Sequence, residues 1–258
     1  MTAIFDTHAH YDDKAFDEDR EELLLSLPAQ GIGRVVNVGS SLDSCKKTLE
    51  LMDSYDYIYG AIGIHPSDTA ELTEDDMDWL QARCSHGKCV AVGEIGLDYY
   101  WDEPERELQK KWFVRQLELA RQVEKPVIIH SREAARDTAD ILTAERAGEI
   151  RGVIHCYSYT KETAKVYLDM GFFFGIGGVL TFKNARKLKE VVEYIPMDRI
   201  VLETDCPYLA PEPDRGKRNS SLKLPYVVSA MAQIKGLDEE EIRRVTWDKA
   251  LRLYRMKE

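Results

Sequence analysis

Cys89-Val90-Ala91-Val92-Gly93-Glu94 reads as a short buried strand that ends on a carboxylate. It is one of eight such runs. Stretches rich in Val, Ile and Phe begin near Ile4, Arg34, Tyr57, Cys89, Pro126, Gly152, Gly171 and Arg199. Helical spacing fills most of the intervals. Trp79, Leu80 and Ala82 follow a Thr73-x-x-Asp76 start signal, and Phe113, Leu117 and Ala120 recur at helical intervals. Near the end, Asp238-x-x-Glu241 reads as a capping box, with Trp247, Ala250, Leu251 and Tyr254 at i, i+3, i+4 and i+7. Eight strands alternating with helices in 258 residues predict a single-domain α/β (β/α)8 TIM barrel over residues 1–258, with the active site at the C-terminal ends of the strands. An open doubly wound sheet is the competing architecture. Polar residues at the ends of nearly all the runs favour the barrel, where those ends converge.

Composition narrows the function classes. The chain is 44% hydrophobic, enough to bury a large core. Lys and Arg total 35 against 46 Asp and Glu, a net charge of −11, which argues against a broad basic face that grips nucleic acid. An enzyme that holds one phosphate through a bound metal stays compatible with that balance. Five cysteines without a CxxC pair read as reduced thiols in a cytoplasmic protein. No basic and apolar leader is recognisable, and the longest apolar stretch, residues 172–180, is too short to span a membrane. Nothing reads as a dimer surface, so a monomer without a stable protein partner is expected.

The histidines carry the chemistry. His8, His10, His65, His130 and His155 lie at or just past the ends of proposed strands, and only His86 does not. Glu94 and Asp205 share that placement. His8-Ala9-His10 has the period of a strand, which puts both imidazoles on one face. Imidazole and carboxylate together suit divalent transition metals. His8, His10, Glu94, His130, His155 and Asp205 are too many for one tetrahedral site and fit two ions bridged by Glu94. Two cations about 3.5–4 Å apart make hydroxide available from a shared water at neutral pH. Asp205 is placed to accept the proton of the attacking water. By alternation Asp6 and Glu203 point the same way as His8 and Asp205, and are expected to hold ligand N–H groups.

These residues resemble a known family. Phe5-Asp6-Thr7-His8-Ala9-His10, Gly63-Ile64-His65-Pro66, Gly93-Glu94-Ile95-Gly96-Leu97-Asp98-Tyr99, His130-Ser131-Arg132, His155-Cys156-Tyr157, Gly178-Val179-Leu180-Thr181-Phe182-Lys183-Asn184-Ala185 and Leu202-Glu203-Thr204-Asp205-Cys206-Pro207-Tyr208 follow one another as in the TatD metal-dependent hydrolases, among the amidohydrolase-like barrels. The resemblance runs from about residue 3 to residue 255. It implies the same six ligands, Mg²⁺ or Mn²⁺ in activity with Zn²⁺ as an option, and a deoxyribonuclease that shortens single-stranded DNA 3′→5′. It also implies that His65 donates a hydrogen bond to a phosphoryl oxygen or the leaving group, alongside Asp205 and Glu94 as the catalytic residues. Alternatives are an ester, amide or small-phosphoester hydrolase on the same site, and a metal-binding protein without turnover. The chain departs from the family at Arg218-Asn219-Ser220-Ser221, where R-N-E-P is common, and at His155-Cys156-Tyr157-Ser158-Tyr159, where H-C-F-x-G is common.

Arg132, Lys183, Arg215, Lys217 and Arg218 fall in loops that would face the mouth and are expected to track a few phosphates of the substrate. Tyr157 and its neighbours Tyr99, Tyr100, Trp101 and Tyr159 are candidates to stack on a base. Phosphate tracking predicts a steep loss of activity with salt.

Overall fold

The computed structural model describes residues 2–101 and 103–257. Eight parallel strands follow one another around a barrel: β1 (Ile4–Ala9), β2 (Ile32–Val38), β3 (Ile58–Ile62), β4 (Cys89–Asp98), β5 (Val127–Arg132), β6 (Gly152–Ile154), β7 (Phe173–Ile176) and β8 (Ile200–Leu202). The helices around them are α1 (Arg20–Ser26), α2 (Leu42–Ser54), α3 (Glu74–Arg83), α4 (Arg106–Gln122), α5 (Ala135–Ala144), α6 (Lys161–Asp169), α7 (Arg186–Tyr194), α8 (Leu224–Lys235) and α9 (Glu239–Leu253). The TIM barrel expected from the spacing is the observed architecture. Among the described residues no helix is long and apolar enough to cross a membrane.

Start signals act as read, with one difference. Thr73 and Asp76 form a full reciprocal capping box on α3. Asp238 accepts from the Glu241 N–H at the start of α9, one half of the expected box.

The barrel has a packed floor. Every strand sends a side chain into one inner cluster: Phe5, Val36, Ala61, Ala91, Ile128, Val153, Phe173 and Val201. Helix α9 seals it from below with Ala250, Leu251 and Leu253, joined by Tyr254 just past its end, whose hydroxyl donates to the Thr7 carbonyl at 2.8 Å. The larger apolar cluster lies between the sheet and the helices.

Above the floor, two strands change which residues face inward. Phe5 belongs to the inner cluster and Ala9 to the outer one, so the inward parity of β1 switches between them. The β1–β2 register is irregular between Asp6 and Ala9, which accommodates the switch. On β4, Ala91 packs inside and Ile95 outside, with a register irregularity between Val92 and Ile95. These offsets turn His8, His10 and Glu94 into the lumen.

The seam between β8 and β1 closes only near its upper end. Ala9 and Cys206 form a parallel bridge, the His10 N–H donates to the Cys206 carbonyl at 2.8 Å, and the Asp205 N–H donates to the His8 carbonyl at 2.9 Å. Asp6 locks this seam. Its fully buried carboxylate accepts from the Thr204 N–H at 3.0 Å, the Thr204 hydroxyl at 2.7 Å, the Ser221 hydroxyl at 2.6 Å and the His8 N–H at 3.3 Å. Asp6 therefore does not orient an imidazole, as alternation suggested. It takes backbone and hydroxyl donors across the seam, because β1 changes parity just above it.

Candidate metal centre

Glu94 is the hub of the upper lumen. Its Oε1 lies 2.6 Å from His130 Nδ1 and 2.7 Å from His155 Nε2. Its Oε2 lies 3.4 Å from His8 Nε2 and 3.7 Å from His10 Nε2. Asp205 Oδ1 stands 3.4 Å from His10 Nε2 and 3.7 Å from His8 Nε2. The two oxygens of one carboxylate thus serve two separate histidine pairs. Overlapping triplets of these side chains have donor atoms near enough to share an ion.

The ring tautomers point the right lone pairs inward. His10 Nδ1 donates to the Val38 carbonyl at 2.8 Å, which leaves Nε2 unprotonated in the neutral ring. His130 Nε2 lies 3.2 Å from Asp98 Oδ2; donation there frees Nδ1 to face Glu94. The inward nitrogens crowd one another: His8 and His10 Nε2 are 3.0 Å apart, and His130 Nδ1 is 3.2 Å from His155 Nε2. Acceptor lone pairs at that separation repel unless a cation or a proton lies between them. Buried Nδ1 atoms on His8 and His155 have no hydrogen-bond partner. This donor set fits divalent ions.

Electrostatics without a cation show the same demand for positive charge. Burial alone would push His10 and His155 down, yet Asp205 and Glu94 pull His10 up to about 9 and the Glu94 charge pulls His155 up to about 10. Burial raises Glu94, but the charges and hydrogen bonds of His155 and His130 hold it well below the usual carboxylate range. His8 is driven down to about 4 by burial and by neighbouring His155. Behind His155, Glu203 is pushed up to about 8 by burial; its Oε1 accepts from the Cys156 N–H and stands 3.9 Å from His155 Nδ1.

His65 plays a different part from the other four lumen histidines. Its Nδ1 accepts from the Ser67 N–H at 3.2 Å, so the neutral ring carries its proton on Nε2. That Nε2 lies 4.0 Å from Glu94 Oε1. Burial lowers the ring to about 3, which keeps it neutral and a hydrogen-bond donor.

A cleft of about 550 Å³ opens over this cluster. His10, His65, Glu94, His130, His155, Asp205 and Arg132 line it, as their strand-end positions suggested. Several expected substrate contacts do not, among them Arg215, which lies over the Phe182 ring, and Tyr99, Tyr100 and Tyr159. Tyr157 is buried, packs edge-on against Phe174 and donates its hydroxyl to the Thr160 carbonyl. The preceding residue, Cys156, has φ +44°, and this turn sends Tyr157 into the core. Arg218 forks onto Asp19 and reaches the Ala15 carbonyl; Lys217 pairs with Asp214 at 2.7 Å. Lys183 is exposed and lies outside the cleft lining. Trp101, one of the expected stacking residues, does line the cleft, and Asp98 and Tyr208 join it without having been singled out as site residues. Asp98 carried a readable signal, since it shares the inward parity of Glu94 four residues on.

Known proteins resemble this chain over nearly its whole length. The family model described as TatD related DNase matches residues 5–255. An uncharacterized metal-dependent hydrolase of Bacillus subtilis (strain 168), YabD, is 43% identical over 98% of this chain and 99% of its own length. YcfH of Escherichia coli K12, likewise an uncharacterized metal-dependent hydrolase, is 34% identical over 97% of this chain and 95% of its own. The crystal structure of YjjV, a TatD homologue from Escherichia coli K12, superposes with a TM-score of 0.92 at 28% identity, with 98% of each chain covered.

Proposed function

This chain belongs to the TatD-related DNase family and is a metal-dependent hydrolase, and on that premise we propose that it cleaves phosphodiesters in single-stranded DNA, removing nucleotides from the 3′ end. The observation that carries the reading is the split use of Glu94, with one oxygen toward His8 and His10 and the other toward His130 and His155. In this reading His8, His10 and Asp205 would hold one divalent ion and His130 and His155 a second, with one carboxylate oxygen of Glu94 available to each. Bound there, Mg²⁺, Mn²⁺ or Zn²⁺ would neutralise phosphoryl oxygens and acidify a water.

The protein's own groups have distinct tasks. Asp205 presents a carboxylate that is 17% exposed toward the cleft, and it accepts the proton of the attacking water. The Nε2–H of His65 donates to a phosphoryl oxygen or to the departing oxygen, fixed in that tautomer by the Ser67 N–H. Arg132 stands at the rim to meet a phosphate.

The test uses metal-stripped protein, single-stranded DNA labelled at its 5′ end and added Mg²⁺ or Mn²⁺. A ladder that shortens one nucleotide at a time and disappears with EDTA supports the proposal. An uncut strand, in protein shown to carry its metal, refutes it.

A further inference from the structure

The rim of the cleft is acidic. Asp12, Asp13, Asp68, Glu94, Asp98 and Asp205 contribute carboxylates to the lining, and among the described residues Arg132 is its single cation. Two divalent ions at the cluster would bring this lining only to about neutral. The carboxylate of Asp12 accepts from Asn37 and Ser44, and that of Asp13 from the Ala15 N–H and the Tyr208 hydroxyl. None of these donors carries charge. Of the other loop cations expected to track a strand, Lys217 is paired with Asp214 and Arg218 with Asp19, Arg215 lies over the Phe182 ring, and Lys183 is outside the cleft lining. A second and third phosphate along a strand would meet Asp13 and Asp68 instead, with like-charge repulsion.

What the rim offers instead is aromatic. Trp101 and Tyr208 are 58% and 55% exposed and both line the cleft. Trp101 follows β4 and Tyr208 follows β8, strands that lie across the barrel from each other. Both rings are held in place. Trp101 packs edge-on to Tyr100 at 4.8 Å, Tyr100 lies 3.7 Å beneath the Arg132 guanidinium, and the Tyr208 hydroxyl is tied to Asp13. Fixed, exposed rings suit the flat, uncharged face of a base.

Resting on the phosphodiesterase reading, we infer that the site recognises one phosphodiester and its flanking base at a strand end, and does not grip the strand beyond them. The substrate class is then a short oligonucleotide or a dinucleotide-sized fragment as readily as a long strand. This reverses the salt response expected from tracking by loop cations.

The test measures kcat/KM of the metal-saturated enzyme on thymidine oligomers of two and twelve nucleotides, from 20 to 200 mM monovalent salt. One phosphate contact at a slope of about 0.7 per contact gives about a fivefold fall over that range, and four contacts give several hundredfold. The inference expects the two lengths to agree within about threefold, each with the shallow slope. Trp101→Ala, an exposed substitution, is expected to lower kcat/KM about tenfold on both. A preference above tenfold for the longer oligomer with a steep slope overturns the inference and leaves the phosphodiesterase reading intact. Unchanged kcat/KM in Trp101→Ala removes the stacking half. No cleavage of either length by metal-loaded protein overturns the phosphodiesterase reading and this inference with it.

Discussion

Asp98 Oδ2 sits 3.2 Å from Nε2 of His130, while Nδ1 of the same ring faces Glu94 Oε1 at 2.6 Å. A carboxylate on the far nitrogen fixes the tautomer and rotation of an imidazole that must present the near one. Asp98 is itself fixed, since its Oδ1 accepts from the Tyr100 N–H and it is 3% exposed. Asp98→Ala is expected to weaken metal binding at the His130 and His155 end by about 10–100-fold. Binding at the His8 and His10 end should change little. Calorimetric titration with Mn²⁺ would resolve the two; equal weakening at both ends would argue against a positioning role for Asp98.

Asp205→Asn keeps the size of the side chain and loses the ability to take a proton. If Asp205 accepts the proton of the attacking water, turnover on a phosphodiester falls at least about 100-fold. The fold should survive, because Asp205 contributes to the seam through its backbone N–H. Unaltered far-UV circular dichroism with near-normal turnover at saturating metal would sink the assignment.

Removal of metal should cost stability as well as activity. Imidazole nitrogens 3.0 and 3.2 Å apart are crowded together by the fold. Binding to the folded state alone stabilises it by about 2.7 kcal/mol at 100 times Kd. For a chain of this size that raises Tm by about 5–10 °C. Glu94→Gln should lose most of this response to added Mn²⁺, as the carboxylate charge that faces all four histidines is gone. A chelated sample that melts with the loaded one would contradict a metal held by these residues.

The seam offers a prediction independent of metal. Asp6→Ala leaves the Thr204 N–H and the Thr204 and Ser221 hydroxyls without their buried acceptor. Stranding buried donors costs about 1–3 kcal/mol each before relaxation, so a loss of about 3 kcal/mol is expected. That is a Tm lowered by about 6–12 °C. Ser221→Ala removes one donor and should cost about 1 kcal/mol. Equal thermal stability of Asp6→Ala and the parent would show that the seam does not depend on Asp6.

Strand ends were legible because each strand's apolar run stops at a polar residue, and a barrel gathers those stops on one face. That reasoning reaches His130 and His155, whose strands keep one parity from Ile128 and Val153 upward. It cannot see the offsets in β1 and β4, which set Phe5 and His8, or Ala91 and Glu94, on the same side three residues apart. Simple alternation runs straight through the β1 irregularity and so sets Asp6 beside an imidazole, whereas it faces the seam. Loop side chains were less legible again. A backbone turn at Cys156 decides that Tyr157 packs into the core, and long-range ion pairs decide where Arg218 goes. Asp98 sat in view in the Gly96-Leu97-Asp98 run, but its role depends on a partner 32 residues away.

Gly175 provides the most direct check on how the wall behind His155 is built. A β-carbon there would lie 2.0 Å from Glu203 Oε2 and 2.4 Å from its Cδ. Glu203 is buried, so the clash has nowhere to go except through its contacts with the Cys156 N–H and toward His155. Gly175→Ala is expected to cost about 1–3 kcal/mol by overpacking. It should also weaken metal binding, because the displaced carboxylate disturbs the ring that meets Glu94 at 2.7 Å. Removing the obstacle should relieve part of this. The double variant Gly175→Ala with Glu203→Ala is expected to be more stable than the sum of the two single losses predicts, by 0.5 kcal/mol or more in a double-mutant cycle. Additive losses, measured by denaturant unfolding of metal-free protein, would mean that Gly175 is required by something other than Glu203.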